Sequence, residues 1–166
     1  MNHKIIRMLV LMTTVATIGT TSAQVTDTSI LEDQLLSDAR ELLQSGRKEI
    51  IEYELQLTEA EAAGFWTVYT DYHDDVMVVR DRYVKTLGDY LKTYRAGAVT
   101  ETYADSFLDD GLDFKSDLLK VQKKYVRRFK KALPIRKVVR FYQLENKMDA
   151  EIDAQLAIAI PLMDPV

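Results

Sequence analysis

The 166-residue chain has no cysteine, only three prolines and six glycines, and a single tryptophan. Without cysteine the fold cannot be held by disulfides, and thiol nucleophiles and thiolate metal sites are excluded. The sequence also lacks a Gly-rich phosphate loop and the HExxH and GxSxG motifs of zinc proteases and serine hydrolases. Its paired carboxylates are typical of the solvated face of amphipathic helices. We therefore expect a protein that is not an enzyme and uses neither cofactor nor small-molecule substrate.

The first 23 residues have the three-part layout of a secretory signal peptide. Lys4 and Arg7 precede an apolar run from Met8 to Ile18, and a stretch of small residues ends at Ala23. The run is too short to span a bilayer, which takes about 20 apolar residues. An uncleaved N-terminal anchor is the alternative. Cleavage after Ala23 predicts an exported protein with one domain, residues 24–166.

Apolar residues recur three and four positions apart almost throughout the chain, and no alternating strand pattern stands out. The first such stretch runs from Leu31 to Leu55 and is interrupted by Gly46. The second predicts a helix from Glu59 to about Arg95, roughly 55 Å long at 1.5 Å per residue. Together the stretches predict an all-α, elongated fold of long amphipathic hairpins with about four helices.

Two breaks separate the later helices. Residues 96–99 form the predicted turn, with Thr100 as the cap of the third helix. Leu133-Pro134 ends that helix, because proline removes a backbone donor and clashes with the preceding turn. The same proline suits the first turn of a fourth helix, which Pro161 ends. A core built from so few long helices without disulfides is shallow, so we expect a homodimer.

The start of the second helix carries a helix-capping motif, Leu57, Thr58 and Glu61. The Thr58 side chain can accept from the N–H three residues on, while the Glu61 side chain reaches back to the N–H of Thr58. Leu57 lies where a hydrophobic staple begins. This pattern predicts a capping box.

His73 is the one histidine after the signal segment. A zinc site needs three or four ligands, so a histidine on a helix flank is the favoured interpretation and no metal site is predicted. The tyrosines that follow the same apolar stripe could form a ligand-stacking strip, but this spacing favours core positions. These tyrosines are Tyr69, Tyr72, Tyr83, Tyr90 and Tyr94.

Basic residues are concentrated in one segment. Between Lys115 and Lys147 lie twelve basic residues and two acidic ones, a net charge of +10 in a net acidic protein. Two interpretations remain open: a basic helix pair lies against acidic helices, within the chain or across a dimer, or a positive surface binds an outside partner. Nucleic acid is not the expected partner, because the protein is exported and net acidic.

The Leu57-Thr58-x-x-Glu61 motif resembles the LTxxQ motif of the Spy/CpxP group of periplasmic helical proteins. The sequence is also similar to uncharacterised members with Phe65-Trp66 after the motif and a late stretch from Leu133 to Lys147. Glu61 replaces the motif glutamine. In the second copy of the motif, Pro134 and Lys137 replace threonine and glutamine, so the cap there is lost.

This resemblance implies an elongated, cradle-shaped homodimer that acts in envelope protein quality control or stress signalling. Its best-studied members hold unfolded proteins without ATP. Others sense metals through histidine-rich sites, which His73 alone does not supply, or report to a two-component kinase or a sigma-factor system.

Three hypotheses follow for this chain: an ATP-independent chaperone for unfolded or misfolded envelope proteins, a sensor that docks a membrane-bound signalling partner, or a structural module that only dimerises. The candidate client- or partner-binding face combines basic and aromatic residues: Lys120, Lys123, Lys124, Arg127, Arg128, Phe129, Lys131, Arg136, Lys137, Arg140, Phe141 and Tyr142.

Overall fold

The computed structural model describes residues 46–165. This part of the chain forms four helices and no strand: α1 (Arg47–Leu55), α2 (Glu59–Arg95), α3 (Glu101–Ala132) and α4 (Ile135–Ala159). The predicted all-α fold of long helices is therefore confirmed. The signal segment, its cleavage after Ala23 and the apolar stripe before Gly46 lie outside the described residues.

A capping box fixes the start of α2. The backbone N–H of Glu61 donates to Thr58 Oγ1 at 3.3 Å, and the N–H of Thr58 donates to Glu61 Oε2 at 2.9 Å. Each side chain thus satisfies a backbone donor that the first helical turn leaves free. The sequence prediction is confirmed, and α2 also ends at the predicted Arg95.

The other helix ends follow from local chemistry as well. The side chain of Thr100 accepts from the N–H of Tyr103 at 3.2 Å and caps α3, as predicted. Leu133 and Pro134 adopt extended and polyproline-like backbone angles between α3 and α4. Because this connection is so short, the last turn of α3 and the first turn of α4 lie at the same end of the molecule.

Successive helices from α2 to α4 run in opposite directions. α2 and α3 are antiparallel, since Tyr83 stacks on Phe114 with ring centroids 4.0 Å apart, while Phe65 lies 5.6 Å from Phe129. α4 runs beside α2 in the same direction. Its start packs Phe141 against Phe65, and just beyond its end the carbonyl of Pro161 accepts from Tyr90 Oη at 2.9 Å.

The core is divided between the two ends. The larger cluster lies where α3 turns into α4, and its fully buried rings are Phe65, Tyr72, Phe129 and Phe141. The smaller cluster lies toward the α2–α3 turn and contains Leu87, Ile152 and Leu156. Tyr69, Tyr72 and Tyr90 are buried, whereas Tyr83 and Tyr94 are half-buried, so the interpretation of the tyrosines as core is confirmed for three of the five.

α1 packs against the start of α4 and the larger cluster, to which it contributes Ile51 and Leu55. Arg140 of α4 donates from Nε to the carbonyl of Glu54 at 2.8 Å, which satisfies a backbone acceptor in the last turn of α1. Within residues 46–165, none of the helices combines the length and apolar character needed to cross a membrane.

Candidate functional site

Five of the predicted face residues are engaged by acidic side chains of the same chain. On α3, Lys124 Nζ lies 2.7 Å from Asp75 Oδ2, Arg128 lies 2.5 Å from Asp71 Oδ2, and Lys120 lies 2.9 Å from Asp117 Oδ1. On α4, Lys137 Nζ lies 2.6 Å from Glu61 Oε2, and Arg140 pairs with Glu54. Lys120 thus pairs within α3, whereas the other four pairs join α3 or α4 to α1 or α2. The interpretation that basic helices lie against acidic ones holds for these four residues.

These ion pairs lower the pKa of two of the carboxylates. Hydrogen bonds from Lys124 and Tyr125 hold the pKa of Asp75 below its ordinary value. The hydrogen bond from Lys137, together with the backbone N–H of Thr58, lowers the pKa of Glu61. Glu61 thus serves both the capping box of α2 and the contact with the start of α4.

The aromatic members of the predicted face are not on the surface. Phe129 and Phe141 are 0% exposed and lie in the larger core cluster, with their ring centroids 4.6 Å apart. Tyr142 is half-buried, and its hydroxyl donates to the backbone carbonyl of Gln122 at 2.9 Å. The prediction that the two phenylalanines contact a client is wrong, because three helices bury them.

The remaining four face residues point outward. Lys123, Arg127, Lys131 and Arg136 are exposed, and no ion pair to any of them occurs within residues 46–165. Because side chains four residues apart share a helix face, Lys123, Arg127 and Lys131 form an unpaired basic edge of α3. Arg136, also exposed, lies in the first turn of α4, just after the α3–α4 connection.

Two groups of exposed apolar side chains lie on the same two helices. Ile135 and Val139 are 55% and 49% exposed in the first two turns of α4. Leu108, Leu112 and Leu119 are 60%, 57% and 47% exposed along α3. The sequence reasoning missed both groups; it selected Phe141, which lies two residues after Val139 and faces the core instead. A four-residue spacing outside the core stripe is the signal that could have revealed them.

A buried charge cluster is the second feature that the sequence reasoning missed. Arg47 donates to Glu145 at 3.0 Å and to Asp149 at 2.5 Å, and Arg80 lies 2.6 Å from the same Asp149 oxygen. Tyr72 donates to the other Glu145 oxygen at 3.2 Å. The sequence indicates this burial too, because Glu145 follows Phe141 by four residues and therefore lies on the core face of α4.

Opposite charges balance in this cluster, which explains how it tolerates burial. Burial raises the pKa of Glu145, while the nearby Arg47 opposes that rise. Nε of Arg80 has no hydrogen-bond partner within the described part of the chain. The cluster joins three helices, and nothing in its geometry resembles a nucleophile with its base.

His73 is half-buried on α2, where its ring lies 5.7 Å from that of Tyr69. Burial, together with the positive charge of Arg47, lowers the pKa of His73. Among residues 46–165, no three His, Cys, Asp or Glu side chains are grouped closely enough to hold a metal ion.

A cleft between α2 and α3 has a volume of about 110 Å³, below the roughly 300–1,000 Å³ of typical ligand pockets. It is lined by Arg82, Tyr83, Thr86, Asp110, Asp113 and Phe114.

The chain matches no protein-family model, no curated protein and no solved structure.

Proposed function

We propose that this protein is a non-catalytic, periplasmic binding protein that holds non-native envelope proteins in a chaperone-like, ATP-independent manner. The observation that carries the proposal is an exposed apolar pair beside unpaired cations at the end of the bundle where α3 turns into α4. We call these residues the basic end: Lys131, Ile135, Arg136 and Val139.

The basic end has the two properties that weak capture of an unfolded chain requires. Unpaired positive charges attract acidic or mixed-charge segments over about a Debye length, roughly 8–10 Å at ordinary salt. Ile135 and Val139 then offer apolar surface, and full burial of such a side chain is worth about 1.5–3 kcal/mol. Two side chains of this size give weak binding, so a client can leave as it folds and no energy source is needed.

The paired cations contribute less to such a surface. Lys124 and Arg128 already face Asp75 and Asp71 across the α2–α3 contact, so a client would have to compete with those carboxylates. Within this one basic segment, we therefore assign a structural role to the paired cations and client binding to the unpaired ones.

Aggregation suppression tests the proposal. A chemically denatured client is diluted into buffer without ATP, and light scattering is followed in the presence of the exported protein at a few-fold excess. We expect suppression by the unchanged protein and its loss, by at least half, in the Ile135→Ser/Val139→Ser variant. Circular dichroism should show that the variant remains helical.

A matched control lies at the other end of α4. Ile158 and Leu162 are 88% exposed but are neighboured by acidic rather than basic residues, so Ile158→Ser/Leu162→Ser should retain suppression. If both variants lose activity equally, the basic end is not the site. No suppression of any of several clients by the unchanged protein would reject the chaperone function and favour a sensor that docks a membrane-bound signalling partner.

A further inference from the structure

The second half of α3 carries almost only positive charge. Residues 119–131 contain seven lysines and arginines and no acidic residue, whereas residues 101–114 contain five acidic residues and no basic one. Interaction with the helix dipole does not explain this division, because it acts only within the first and last turns. At 1.5 Å per residue, Asp109 and Lys123 are about 21 Å apart along the helix. A tilt of the helix can therefore bring the basic half against a charged surface and hold the acidic half away from it.

One side of the basic half alternates aliphatic and lysine side chains. Leu119, Lys123, Val126 and Lys130 follow one another at spacings of four, three and four, so they lie along the same side of the helix. Val126 is half-buried and the other three are exposed. Neither lysine has an ion pair within residues 46–165. We call these four residues the lysine–aliphatic stripe.

We propose that the lysine–aliphatic stripe binds the surface of an anionic phospholipid bilayer, with α3 tilted so that its acidic half points away from the lipid. The stripe spans about 17 Å at 1.5 Å per residue. The acidic residues need to rise only beyond the Debye length of roughly 8–10 Å for their repulsion to be screened. The protein then lies on the membrane without crossing it.

The chemistry of the stripe matches the two layers of such a surface. Leu119 and Val126 supply the apolar contact, as the apolar face of an interfacial helix does when it enters the boundary between headgroups and acyl chains. The lysine stems are apolar as well, so Lys123 and Lys130 can lie along the same boundary while their ammonium groups reach the phosphates. Each cation near an anionic leaflet strengthens binding about fivefold.

The geometry favours a lipid surface over an acidic protein or a nucleic acid. None of the stripe residues lines the cleft between α2 and α3, so the stripe presents a ridge rather than a groove for a chain. A nucleic acid offers negative charge but no apolar layer beneath it. Arg127 is exposed beside the stripe and is likewise without an ion pair in the described chain, so it adds to the attraction.

Vesicle sedimentation tests the proposal. The exported protein should sediment with vesicles of phosphatidylglycerol and phosphatidylcholine in equal parts, and it should stay in the supernatant with pure phosphatidylcholine. Binding should weaken as salt is added, because the charges are screened. No sedimentation with the anionic vesicles, or equal sedimentation with both kinds, would overturn the proposal.

Two triple variants of α3 separate a site from a mere effect of net charge. Lys123→Gln/Arg127→Gln/Lys130→Gln removes three unpaired cations and should weaken vesicle binding roughly 100-fold. Lys120→Gln/Lys124→Gln/Arg128→Gln removes three cations that already face carboxylates and should weaken it less than fivefold. Circular dichroism checks that both remain helical. Equal weakening by the two variants would contradict the assigned site.

Tryptophan fluorescence reports whether the stripe enters the lipid. Trp66 is the only tryptophan, so in a Trp66→Phe background the Leu119→Trp substitution places a single reporter on the stripe. Its emission should shift to shorter wavelength with anionic vesicles. Leu108→Trp is the matched control, since Leu108 is exposed on the same side of α3 but in the acidic half, and its emission should not shift. Sedimentation without a shift at position 119, or with equal shifts at both positions, would overturn this mode of binding.

A soluble polyanion and the basic-end variant complete the test. If polyglutamate displaces the protein from vesicles at equal charge concentration, the stripe recognises acidic chains and the membrane proposal fails. The Ile135→Ser/Val139→Ser variant should lose aggregation suppression and still sediment with anionic vesicles, because the basic end is not part of the stripe. Membrane binding and client binding can therefore fail independently.

Discussion

Arg47 of α1 and Glu145 of α4 are joined by a hydrogen bond of 3.0 Å, and both side chains are almost fully buried. Removing two charges from water costs several kcal/mol each, and the pair is tolerated because Asp149 and Tyr72 supply further hydrogen bonds. The partners are 98 residues apart in the chain. Their pairing therefore fixes where α1 sits against the bundle.

Arg47→Ala should destabilise the protein by about 3–5 kcal/mol, because it leaves the buried Glu145 without its counter-charge. Urea unfolding followed by circular dichroism measures the loss. Lys85→Ala is the control, since the Lys85–Asp89 pair is largely exposed and such pairs are worth about 0–1 kcal/mol. Equal losses in the two variants would show that burial of the Arg47 pair is not what matters.

Thr58→Ala should cost about 1 kcal/mol, the usual effect of losing an N-cap side chain. Thr67 provides a matched substitution within the same helix: its hydroxyl donates to the carbonyl of Ala63, four residues earlier. Because alanine is the better residue in a helix interior, Thr67→Ala should be neutral or slightly stabilising. Chemical unfolding of both variants checks the prediction. A loss at Thr67 as large as that at Thr58 would contradict it.

Two glycines should respond to alanine in opposite directions. A Cβ at Gly64, inside α2, would lie 3.6 Å from Ala132 Cβ, an ordinary contact, so Gly64→Ala should stabilise by about 0.5–1 kcal/mol. Gly97, in the α2–α3 turn, has φ +59°, which alanine adopts at a cost. Gly97→Ala should therefore destabilise by about 1 kcal/mol. Melting temperatures that shift in the same direction for both variants would refute this prediction.

As the pH decreases below 6.5, His73 should lower the free energy of unfolding. Burial and the positive charge of Arg47 lower its pKa in the folded state below the ordinary 6.5. In the window between the two values the unfolded chain binds more protons, so acidification favours unfolding. The expected outcome is a smaller drop in melting temperature from pH 7.5 to pH 5.5 in His73→Asn than in the unchanged protein. An identical drop in both would show that other groups set the pH dependence.

The helix boundaries could be predicted from the sequence because their causes are local. Thr58, Thr100 and Pro134 each act within one turn of the chain, so periodicity and capping chemistry together located the ends of α2, α3 and α4. The burial of Phe129 and Phe141 also follows from the apolar stripes that predicted their helices. Assigning them to a binding face contradicted that pattern.

The sequence does not show in the same way which cations face solvent and which pair with a carboxylate. Whether Lys124 or Lys123 meets a carboxylate depends on which residue of α2 lies opposite, and that register is set by packing between residues about 50 positions apart. The buried charges depend on the same long-range geometry. Helical spacing could have placed Glu145 on the core face, but its partner Arg47 comes from a separate helix.

The unequal division of the core has a consequence for how the molecule opens. Eleven buried residues form the cluster near the α3–α4 turn, whereas three form the cluster toward the α2–α3 turn. Local opening costs less where fewer apolar contacts must be broken. Amide hydrogens around Leu87 and Phe107 should therefore exchange with solvent faster than those around Tyr72 and Phe129. The end of the bundle at the α2–α3 turn can then open and close locally while the opposite end stays folded. Mobility in this protein therefore increases along the bundle toward that turn.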